Sequence, residues 1–455
     1  MDHANTLDRR RLLRQASAGA AFPAALALGG IAGSHDPAAA TAAGASGTPG
    51  LPPKERPMTT GGLDPDRARR VRAVMQRHVD AGTIPGVVTL VGRGGEAHVE
   101  AVGNTTFDGG DPMRRDTIFR IASVTKPILA AAAMILVEEC VLRLDDPVDA
   151  LLPELADRQV LRSFDGPIDD TEPANRPITL RDLLTFRLGY GAIFEQTPLA
   201  QATAEAQVAA GPHPPAFSPE EYLARLGNLP LAHQPGERWL YNTGFDVLGV
   251  LIARATGSPL GAFLGERIFE PLGMVDTGFH VPPDKIGRLA GSYWTDFATG
   301  EFGEFDGIED SRFAAPPVFE SGAAGLVSTV DDLLAFGEMM LNEGVFAGRR
   351  ILSRPSVELM TTDQITAAQK AASPFFPADF WDTHGWGLGV AVITRRDDIS
   401  MTPGRFGWDG GYGTSWYVDP AEGLIGILMT QRGWDGRQEA IYGDFWTTAY
   451  QAIAD

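Results

Sequence analysis

The sequence predicts an α/β (α+β) fold in which a mainly antiparallel sheet is built from both ends of the chain. Strand patterns occur at residues 87–102 and return at residues 387–430, whereas helical patterns separated by loops rich in proline and glycine fill the stretch between them. This order indicates one sheet with a helical insertion. The late strands follow one another too closely for crossover helices, so we expect antiparallel neighbours.

Length and composition indicate a globular protein with more than one packed region. The chain has 455 residues, of which 44% are hydrophobic and 21% are charged. Within one domain, we expect residues 63–122 and 319–455 to form a sheet region and residues 123–318 a mainly helical region. The net charge of −20 argues against nucleic acid as a partner, because nucleic acid binds basic surfaces. Cys140 is the single cysteine, which excludes an internal disulfide.

The first sixty residues carry the features of an export signal. Residues 8–14 read Asp-Arg-Arg-Arg-Leu-Leu-Arg, which resembles a twin-arginine signal, and a weakly apolar stretch with small residues follows. We predict a signal peptide over residues 1–43 and a flexible linker over residues 44–62. The protein would then be periplasmic or secreted. The apolar stretch contains Pro23 and is short for a membrane span, so we expect no stable span in the mature chain.

The first elements after the linker should be a helix and a hairpin. Asp64 and Pro65 are a capping side chain followed by proline in the first turn, and Gly82 ends the helix. Residues 87–91 are strand formers, and residues 96–102 alternate as the return strand after a glycine-rich turn.

Helices then fill the middle of the chain, and strands return near its end. Apolar residues at helical spacing predict helices over residues 128–140, 178–186, 219–226 and 245–255. Short apolar or aromatic runs bounded by turns predict strands at residues 387–393, 404–406, 415–418 and 424–430. A last helical pattern between residues 440 and 450 closes the chain.

Several common catalytic signatures are missing from the sequence. No Gly-x-Ser-x-Gly, His-Glu-x-x-His or Walker sequence occurs, and the eight histidines show no pair at a metal-ligand spacing. Gly92-Arg93-Gly94 belongs to the predicted hairpin and not to a strand-to-helix turn, so it does not indicate a dinucleotide site. We therefore expect neither a metal nor a cofactor.

One motif with chemical content remains, the only Ser-x-x-Lys of the chain. Ser123 stands just before an apolar helical run, where serine is a good N-cap, and Lys126 lies one turn further on the same face. That spacing lets the amine reach the hydroxyl, and the helix N-terminus favours a developing oxyanion and a lowered lysine pKa. Residues 127–137 are wholly apolar, which disfavours a solvated lysine.

The segment around Ser123 resembles the Ser-x-x-Lys motif of the serine hydrolase superfamily that comprises class C β-lactamases, penicillin-binding proteins and family VIII carboxylesterases. The resemblance extends from Asp64 to Tyr450. Further segments that resemble this superfamily in the same order lie at residues 142–147, 178–184, 268–274 and 325–332. The resemblance implies a β-lactamase-like fold with N- and C-terminal helices that flank the sheet.

The second motif of the superfamily is a tyrosine followed at two residues by asparagine. Tyr241 stands where the resemblance places the catalytic tyrosine. Thr243 occupies the position at which many members have asparagine, and Asn242 comes one residue early, so the role of the asparagine stays unassigned. Without the resemblance, Tyr241 would be interpreted as a packing aromatic.

The third motif is Lys-Thr-Gly in β-lactamases and His-x-Gly or Trp-x-Gly in esterases of the superfamily. Trp408, Asp409 and Gly410 fit the tryptophan form and by this resemblance line the substrate pocket. The backbone N–H groups of Ser123 and Gly411 would then form the oxyanion hole. An Asp-Gly turn between two strands is the interpretation without a function.

A second Gly-Trp-Asp-Gly occurs at residues 433–436, so the tetrapeptide alone is weak evidence. We prefer the first copy because it precedes the strand at residues 415–418 and leaves one strand before the terminal helix. The superfamily carries its third motif at that place.

The resemblance implies an enzyme that acts on a small-molecule ester or amide. Ser123 would form an acyl-enzyme, and either Lys126 or Tyr241 would take its proton; the sequence leaves both open. Lys-Thr-Gly brings a cation that binds a carboxylate, whereas Trp408 and Asp409 bring an apolar ring and an anion. A carboxylesterase for small neutral esters is therefore the first interpretation.

Two alternatives stay open. A β-lactamase or a D-amino-acid peptidase or transpeptidase needs a cation for the substrate carboxylate, and Arg405 is the candidate for that cation. A non-catalytic, penicillin-binding-like protein would keep the fold as a sensor or a scaffold.

Overall fold

The computed structural model describes most of the chain after the predicted linker. The described residues are 62–211, 213–296, 299–373, 375–376 and 379–455. The predicted signal peptide, residues 1–43, and all but the last residue of the predicted linker, residues 44–62, lie outside them.

Helices occur at both ends of the described chain and throughout its middle. They are α1 (Pro65–Asp80), α2 (Thr125–Glu138), α3 (Leu180–Leu184), α4 (Pro198–Glu205), α5 (Pro219–Gly227), α6 (Thr243–Thr256), α7 (Leu260–Leu264), α8 (Glu270–Leu272), α9 (Val330–Leu341), α10 (Arg354–Met360), α11 (Ala367–Ala371), α12 (Phe380–Thr383) and α13 (Gln438–Gln451). Single 3₁₀ turns lie at Ala122–Val124, Pro153–Leu155, Ile286–Arg288 and Arg312–Ala314, and a π turn lies at Gly265–Phe269.

In the described residues, strands form one large sheet and four small two-stranded ones. They are β1 (Gly86–Arg93), β2 (Glu96–Gly103), β3 (Phe119–Arg120), β4 (Gln159–Leu161), β5 (Thr171–Pro173), β6 (Ser292–Thr295), β7 (Phe302–Asp306), β8 (Val327–Ser328), β9 (Val345–Phe346), β10 (Arg349–Arg350), β11 (His384–Trp386), β12 (Ala391–Ile393), β13 (Phe406–Gly410), β14 (Thr414–Asp419) and β15 (Leu424–Met429). The large sheet has the order β11-β12-β13-β14-β15-β1-β2.

The large sheet is antiparallel throughout and joins the two ends of the described chain. Leu90 of β1 lies opposite Val99 of β2 on one side and Ile427 of β15 on the other. The predicted sheet from both termini is therefore confirmed. The register also decides which side chains share a face, because neighbours along a strand point to opposite faces.

Each face of the sheet packs against a different layer. The N- and C-terminal helices α1 and α13 cover one face, where Val71, Tyr417 and Trp446 belong to one apolar cluster. The helical insertion covers the other face, where Trp408 and Trp416 join the main core. The predicted flanking helices and the inserted helical region are thus confirmed.

Helix α2 lies inside the insertion with its whole first three turns buried. Every residue from Thr125 to Leu136 is buried, and a helix that is apolar all round is typical of a protein core. Helix α2 is therefore part of the protein core. The prediction that Ser123 caps this helix is wrong, since Ser123 lies in the preceding 3₁₀ turn and no side chain caps α2.

Two late strands differ from the sequence prediction because glycines turn the chain. Residues 387–393 form the turn and second strand of the β11–β12 hairpin, since Gly387 N–H donates to Val390 O at 2.8 Å and Gly389 has a φ of 78°. The strand expected at residues 404–406 starts at Phe406 and continues to Gly410. The third motif is therefore a strand, and the turn follows it.

The two ends of the described chain meet beside α1. Asp64 caps α1 as predicted, accepting from the N–H groups of Asp66 and Arg67 at 2.9 and 3.0 Å. The N–H of Asp64 donates to Ala452 O at 2.8 Å.

No single helix within the described ranges is long and apolar enough to cross a membrane. One pair of helices, Thr243–Thr256 with Leu260–Leu272, satisfies the length and composition together but is bent by 78°.

Candidate active site

The Ser-x-x-Lys segment sits on a firmly held turn between β3 and α2. The side chain of Arg120, two residues before the turn, is fully buried and donates to Asp306 Oδ2 at 2.6 Å, Gly307 O at 2.7 Å and Ala290 O at 2.5 Å. Ala122 has a φ of 44°, a conformation that costs free energy for a residue with a Cβ atom. The hydrogen bonds of Arg120 hold the chain next to this strained residue, which directly precedes Ser123.

Lys126 is buried and makes three hydrogen bonds. Its Nζ donates to Ser123 Oγ at 2.8 Å, Asn242 Oδ1 at 3.0 Å and Ala323 O at 2.8 Å. Three acceptors match the three N–H groups of an ammonium ion. Burial lowers the pKa of Lys126 to about 7, although the negative charge of Asp246 acts in the opposite direction. The amine is therefore partly neutral at physiological pH.

Tyr241 completes a contact set with Ser123 and Lys126. Its hydroxyl interacts with the hydroxyl of Ser123, and Lys126 Nζ lies 4.5 Å from the centre of its ring. Trp408 Nε1 donates to Tyr241 Oη at 2.6 Å. Burial raises the pKa of Tyr241 well above its usual value, so the phenol is protonated at neutral pH.

Asn242 occupies a strained turn that directs its side chain to Lys126. Its φ and ψ are 82° and −66°, and Thr243 N–H donates to Tyr241 O at 3.2 Å, which defines a γ-turn with positive φ. The turn explains how an asparagine placed one residue early still reaches the lysine. Thr243 is only 1% exposed, and its hydroxyl has no hydrogen-bond partner among the described residues.

Asp246 is a buried carboxylate behind the lysine. It lies one turn after Asn242 on α6 and accepts from Ser321 Oγ at 2.6 Å and from Ala323 N–H at 3.2 Å. Residue Ala323 thus connects the two ionisable groups, because its carbonyl accepts from Lys126. Burial raises the pKa of Asp246, and the nearby ammonium of Lys126 acts against that rise.

The third motif and the glycine that follows it place their side chains in different surroundings. Trp408 is 6% exposed and faces Tyr241, with 5.8 Å between the ring centres. Gly410 runs against the Ser123 turn, since a Cβ atom there would clash with the carbonyl oxygen of Ile121. Gly411 follows the strand, and its carbonyl accepts from Trp434 N–H at 3.0 Å.

Asp409 and Arg405 point to the opposite face of the sheet. Asp409 accepts from Ser415 Oγ at 2.5 Å and Tyr417 Oη at 3.2 Å. The guanidinium of Arg405 lies 3.8 Å from the ring centre of Trp446. Strand alternation is the physical reason: with Trp408 directed to Tyr241, Asp409 must point away. The contacts of Asp409 thus do not fit the substrate pocket expected from the sequence, and Arg405 does not supply a cation at Ser123.

Sequence reasoning missed Asp246 and Ala323 and left Asn242 without a role. A signal for Asp246 was present, since it is the single charged residue in the otherwise apolar stretch from Phe245 to Ile252 of a helix that starts at the tyrosine motif. Ala323 acts through its backbone, which a sequence motif does not reveal. No group of three histidine, cysteine or acidic residues in the described part of the chain is arranged to hold a metal ion.

Comparison with known proteins shows the family of the chain. A family model described as Beta-lactamase matches residues 71–443. The chain belongs to the beta-lactamase family. Esterase EstB of Burkholderia gladioli is 33% identical over 414 residues, covering 83% of this chain and 96% of EstB. Protein Rv1367c of Mycobacterium tuberculosis is 40% identical over 373 residues, covering 79% and 89%.

Two solved structures show the same fold. EstCE1, described as a hydrolase with promiscuous acyltransferase activity, superimposes with a TM-score of 0.68 at 26% identity, covering 86% of this chain and 98% of EstCE1. A class C beta-lactamase from Rhodobacter sphaeroides gives 0.58 at 18% identity and shows the fold alone. The protein is therefore a serine hydrolase.

Proposed function

We propose that the protein is a carboxylesterase that forms an acyl-enzyme on Ser123 and acts on small neutral esters. One observation carries the proposal: the hydroxyl of Ser123 lies 2.8 Å from the amine of Lys126, which is fully buried. Burial lowers the pKa of this amine. A neutral amine at that distance can accept the serine proton and make the hydroxyl a nucleophile.

Lys126 and Tyr241 take different roles because their pKa values shift in opposite directions. The raised pKa of Tyr241 keeps its proton in place, whereas the lowered pKa of Lys126 provides a base. Ser123 Oγ attacks the ester carbonyl as Lys126 takes its proton. Tyr241 then donates its proton to the departing alkoxide and recovers one from the Lys126 ammonium. Water hydrolyses the acyl-enzyme by the reverse sequence.

The oxyanion is assigned to the backbone N–H groups of Ser123 and Gly411. Within the described part of the chain, neither group donates a hydrogen bond to another protein atom. The bond from Trp434 N–H to Gly411 O and the tight fit of Gly410 against Ile121 fix the orientation of this glycine pair. Donors that are already oriented stabilise a developing negative charge without reorganisation.

The charges around the site favour a neutral substrate. Trp408 brings an N–H group to Tyr241 Oη where a β-lactamase has the lysine of Lys-Thr-Gly, and the guanidinium of Arg405 packs on the other face of the sheet. A substrate carboxylate would therefore lack the cation that Lys-Thr-Gly provides, and an unpaired buried charge is costly. EstB and EstCE1, two relatives described as an esterase and a hydrolase, support the same reaction class.

The proposal is tested by comparing ester and β-lactam turnover. We expect hydrolysis of p-nitrophenyl butyrate, little hydrolysis of nitrocefin, and labelling of Ser123 by a fluorophosphonate probe. Ser123→Ala should lose both ester hydrolysis and labelling. Efficient nitrocefin turnover would instead favour a β-lactamase, and a wild-type protein that neither hydrolyses esters nor reacts with the probe would favour a non-catalytic protein.

Export is a separate proposal that rests on the twin-arginine-like residues 8–14. A Lys-Lys replacement of Arg9 and Arg10 should keep the protein in the cytoplasm, and an unchanged distribution between cell fractions would contradict it.

A further inference from the structure

One partly exposed phenylalanine contacts the ring of Tyr241. The rings of Phe186, Trp239, Phe375 and Trp408 have centres within 6 Å of the Tyr241 ring centre, at 5.0, 5.4, 4.8 and 5.8 Å. Phe186 and Trp239 are 0% exposed and Trp408 is 6% exposed. Of the rings that contact Tyr241 in the described residues, only Phe375 therefore offers surface to a molecule bound beside the tyrosine.

A second half-buried phenylalanine extends this surface. The ring centre of Phe194 lies 5.3 Å from that of Phe375. The segment that carries Phe194 is attached to the tyrosine, because Ala192 N–H donates to Tyr241 O at 2.8 Å. Gly191 allows this approach, since a Cβ atom there would lie 2.5 Å from Leu240 O.

The segment that carries Phe375 is attached to the same stretch of chain. Trp239 N–H donates to Ser373 Oγ at 3.0 Å, and Gln369 Nε2 donates to Gly236 O at 2.6 Å. Two segments that are distant in sequence are thus hydrogen-bonded to the residues around Tyr241. Each of these segments carries one half-buried phenylalanine, Phe194 or Phe375, close to Tyr241.

The proposed reaction decides which part of the substrate lies beside Phe194 and Phe375. In the tetrahedral intermediate, the oxyanion faces the N–H groups of Ser123 and Gly411, and the departing oxygen faces the proton donor, Tyr241. The group attached to the departing oxygen is the alcohol portion of the ester. It must therefore extend past Tyr241, where Phe375 and Phe194 lie.

We propose that Phe194 and Phe375 form a subsite for the alcohol portion of the ester and select apolar alcohols that carry a ring or a branched chain. The inference rests on the proposed function and names its substrate class. Aromatic rings bind such groups through apolar burial and ring stacking. The exposed carboxylate of Glu195, which accepts from Phe194 N–H at 3.2 Å, disfavours an anionic alcohol at the same place.

The same subsite accepts an incoming alcohol, because deacylation reverses acylation. An alcohol that replaces water forms a new C–O bond to the acyl carbon while the bond from that carbon to Ser123 Oγ breaks. The alcohol proton passes through the Tyr241–Lys126 pair to Ser123 Oγ, which restores the free enzyme. An apolar alcohol therefore competes with water for the acyl-enzyme.

The test varies the alcohol and the acyl group separately. The substrates are ethyl butyrate, 2-phenylethyl butyrate and ethyl 3-phenylpropanoate, and the variants are Phe194→Ala and Phe375→Ala. We expect each variant to lower kcat/KM for 2-phenylethyl butyrate about three- to tenfold, mainly through KM. The two ethyl esters should change less than about twofold. Phe194→Ala protects the test against misfolding, because Phe194 is a half-buried residue of a loop.

Phe380→Ala is the matched control. Phe380 is a half-buried phenylalanine that contacts Phe376 and Trp381 and not the Tyr241 ring. It should leave the preference for the phenylethyl ester unchanged. If Phe380→Ala changed the preference for the phenylethyl ester as much as Phe375→Ala does, the cause would be a general loosening of the fold, and the subsite would be overturned. Equal losses of kcat/KM for all three esters in both Phe194→Ala and Phe375→Ala would overturn it too.

A loss confined to ethyl 3-phenylpropanoate would assign the residues to the acyl group and also overturn the proposal. As a second readout, ethyl butyrate with added 2-phenylethanol should yield 2-phenylethyl butyrate, and Phe194→Ala should lower its share against butyrate. Failure of the proposed function is distinguishable, because it would abolish Ser123-dependent turnover of every ester in the wild type.

Discussion

Replacement of Asp246 by asparagine tests how the protein sets the protonation of Lys126. Asparagine keeps the size of the side chain, and its amide oxygen can still accept from Ser321 Oγ and Ala323 N–H. It removes the negative charge that favours the lysine ammonium. The pKa of Lys126 should therefore fall, and the neutral base should be available at lower pH.

The size of the pKa change of Lys126 follows from its distance to Asp246, since Ala323 bridges the two side chains. Two hydrogen bonds of 3.2 and 2.8 Å and one residue separate the carboxylate from the amine. A unit charge at roughly 8 Å with an effective dielectric constant of about 20 contributes about 2 kcal/mol, or about 1.5 pH units. Because part of this interaction is screened, we expect a shift of about one unit.

The assay is kcat/KM for methyl butyrate as a function of pH, measured by titration of the released acid. Wild-type activity should rise with pH through about 7 as Lys126 loses its proton. The Asp246→Asn curve should have the same shape and rise about one unit lower. Tyr241 and Asp246 are the titratable groups that act on Lys126 among the described residues.

Asp332→Asn is the control for loss of a buried carboxylate. Asp332 accepts from Thr277 Oγ1 at 2.7 Å and Asp276 N–H at 2.8 Å, and it has no contact with Lys126. Its curve should match the wild type. A rise that stays in place in Asp246→Asn, or moves to higher pH, would refute the electrostatic reasoning.

Three further substitutions separate charge, hydrogen bonding and packing. Lys126→Arg keeps a cation that cannot lose its proton, so kcat should fall about 10²- to 10⁴-fold at every pH while fluorophosphonate labelling is also lost; retained activity would exclude the lysine as base. Trp408→Phe removes the N–H donated to Tyr241 Oη and should lower kcat/KM about five- to tenfold, together with a lower melting temperature from the lost core volume; an unchanged rate would contradict this role. Arg120→Met leaves Asp306 buried without its partner and should cost about 3–5 kcal/mol in urea unfolding, and a cost below 1 kcal/mol would show that the pair is not needed.

The fold could be predicted from local patterns because its strands and helices are well separated along the chain. The runs at residues 87–91 and 424–430 became β1 and β15, which are neighbours in the sheet. The pattern at residues 387–393 was misleading, since apolar residues on both sides of Gly389 resemble one continuous strand. Only the positive φ of that glycine shows that the chain turns there.

The site could be predicted only where a short motif carries the chemistry. Ser123 and Lys126 are one turn apart, and local spacing alone brings them together. The direction of Asp409 depends on strand register, which no motif encodes, so its placement in the pocket could not be judged from sequence. The contact of Asn242 with Lys126 depends on a γ-turn whose strain only the surrounding structure sustains.

The hydrogen bond between Asp64 N–H and Ala452 O brings the start and the end of the folded domain to one point on the surface. Joining residues 62 and 455 by a short glycine-rich linker would therefore leave the sheet and the site unchanged, and new termini could be opened in the exposed loop at residues 165–170. The domain is therefore suited to circular permutation. A circularly permuted chain with termini in this loop could carry a fused partner far from α1 and α13.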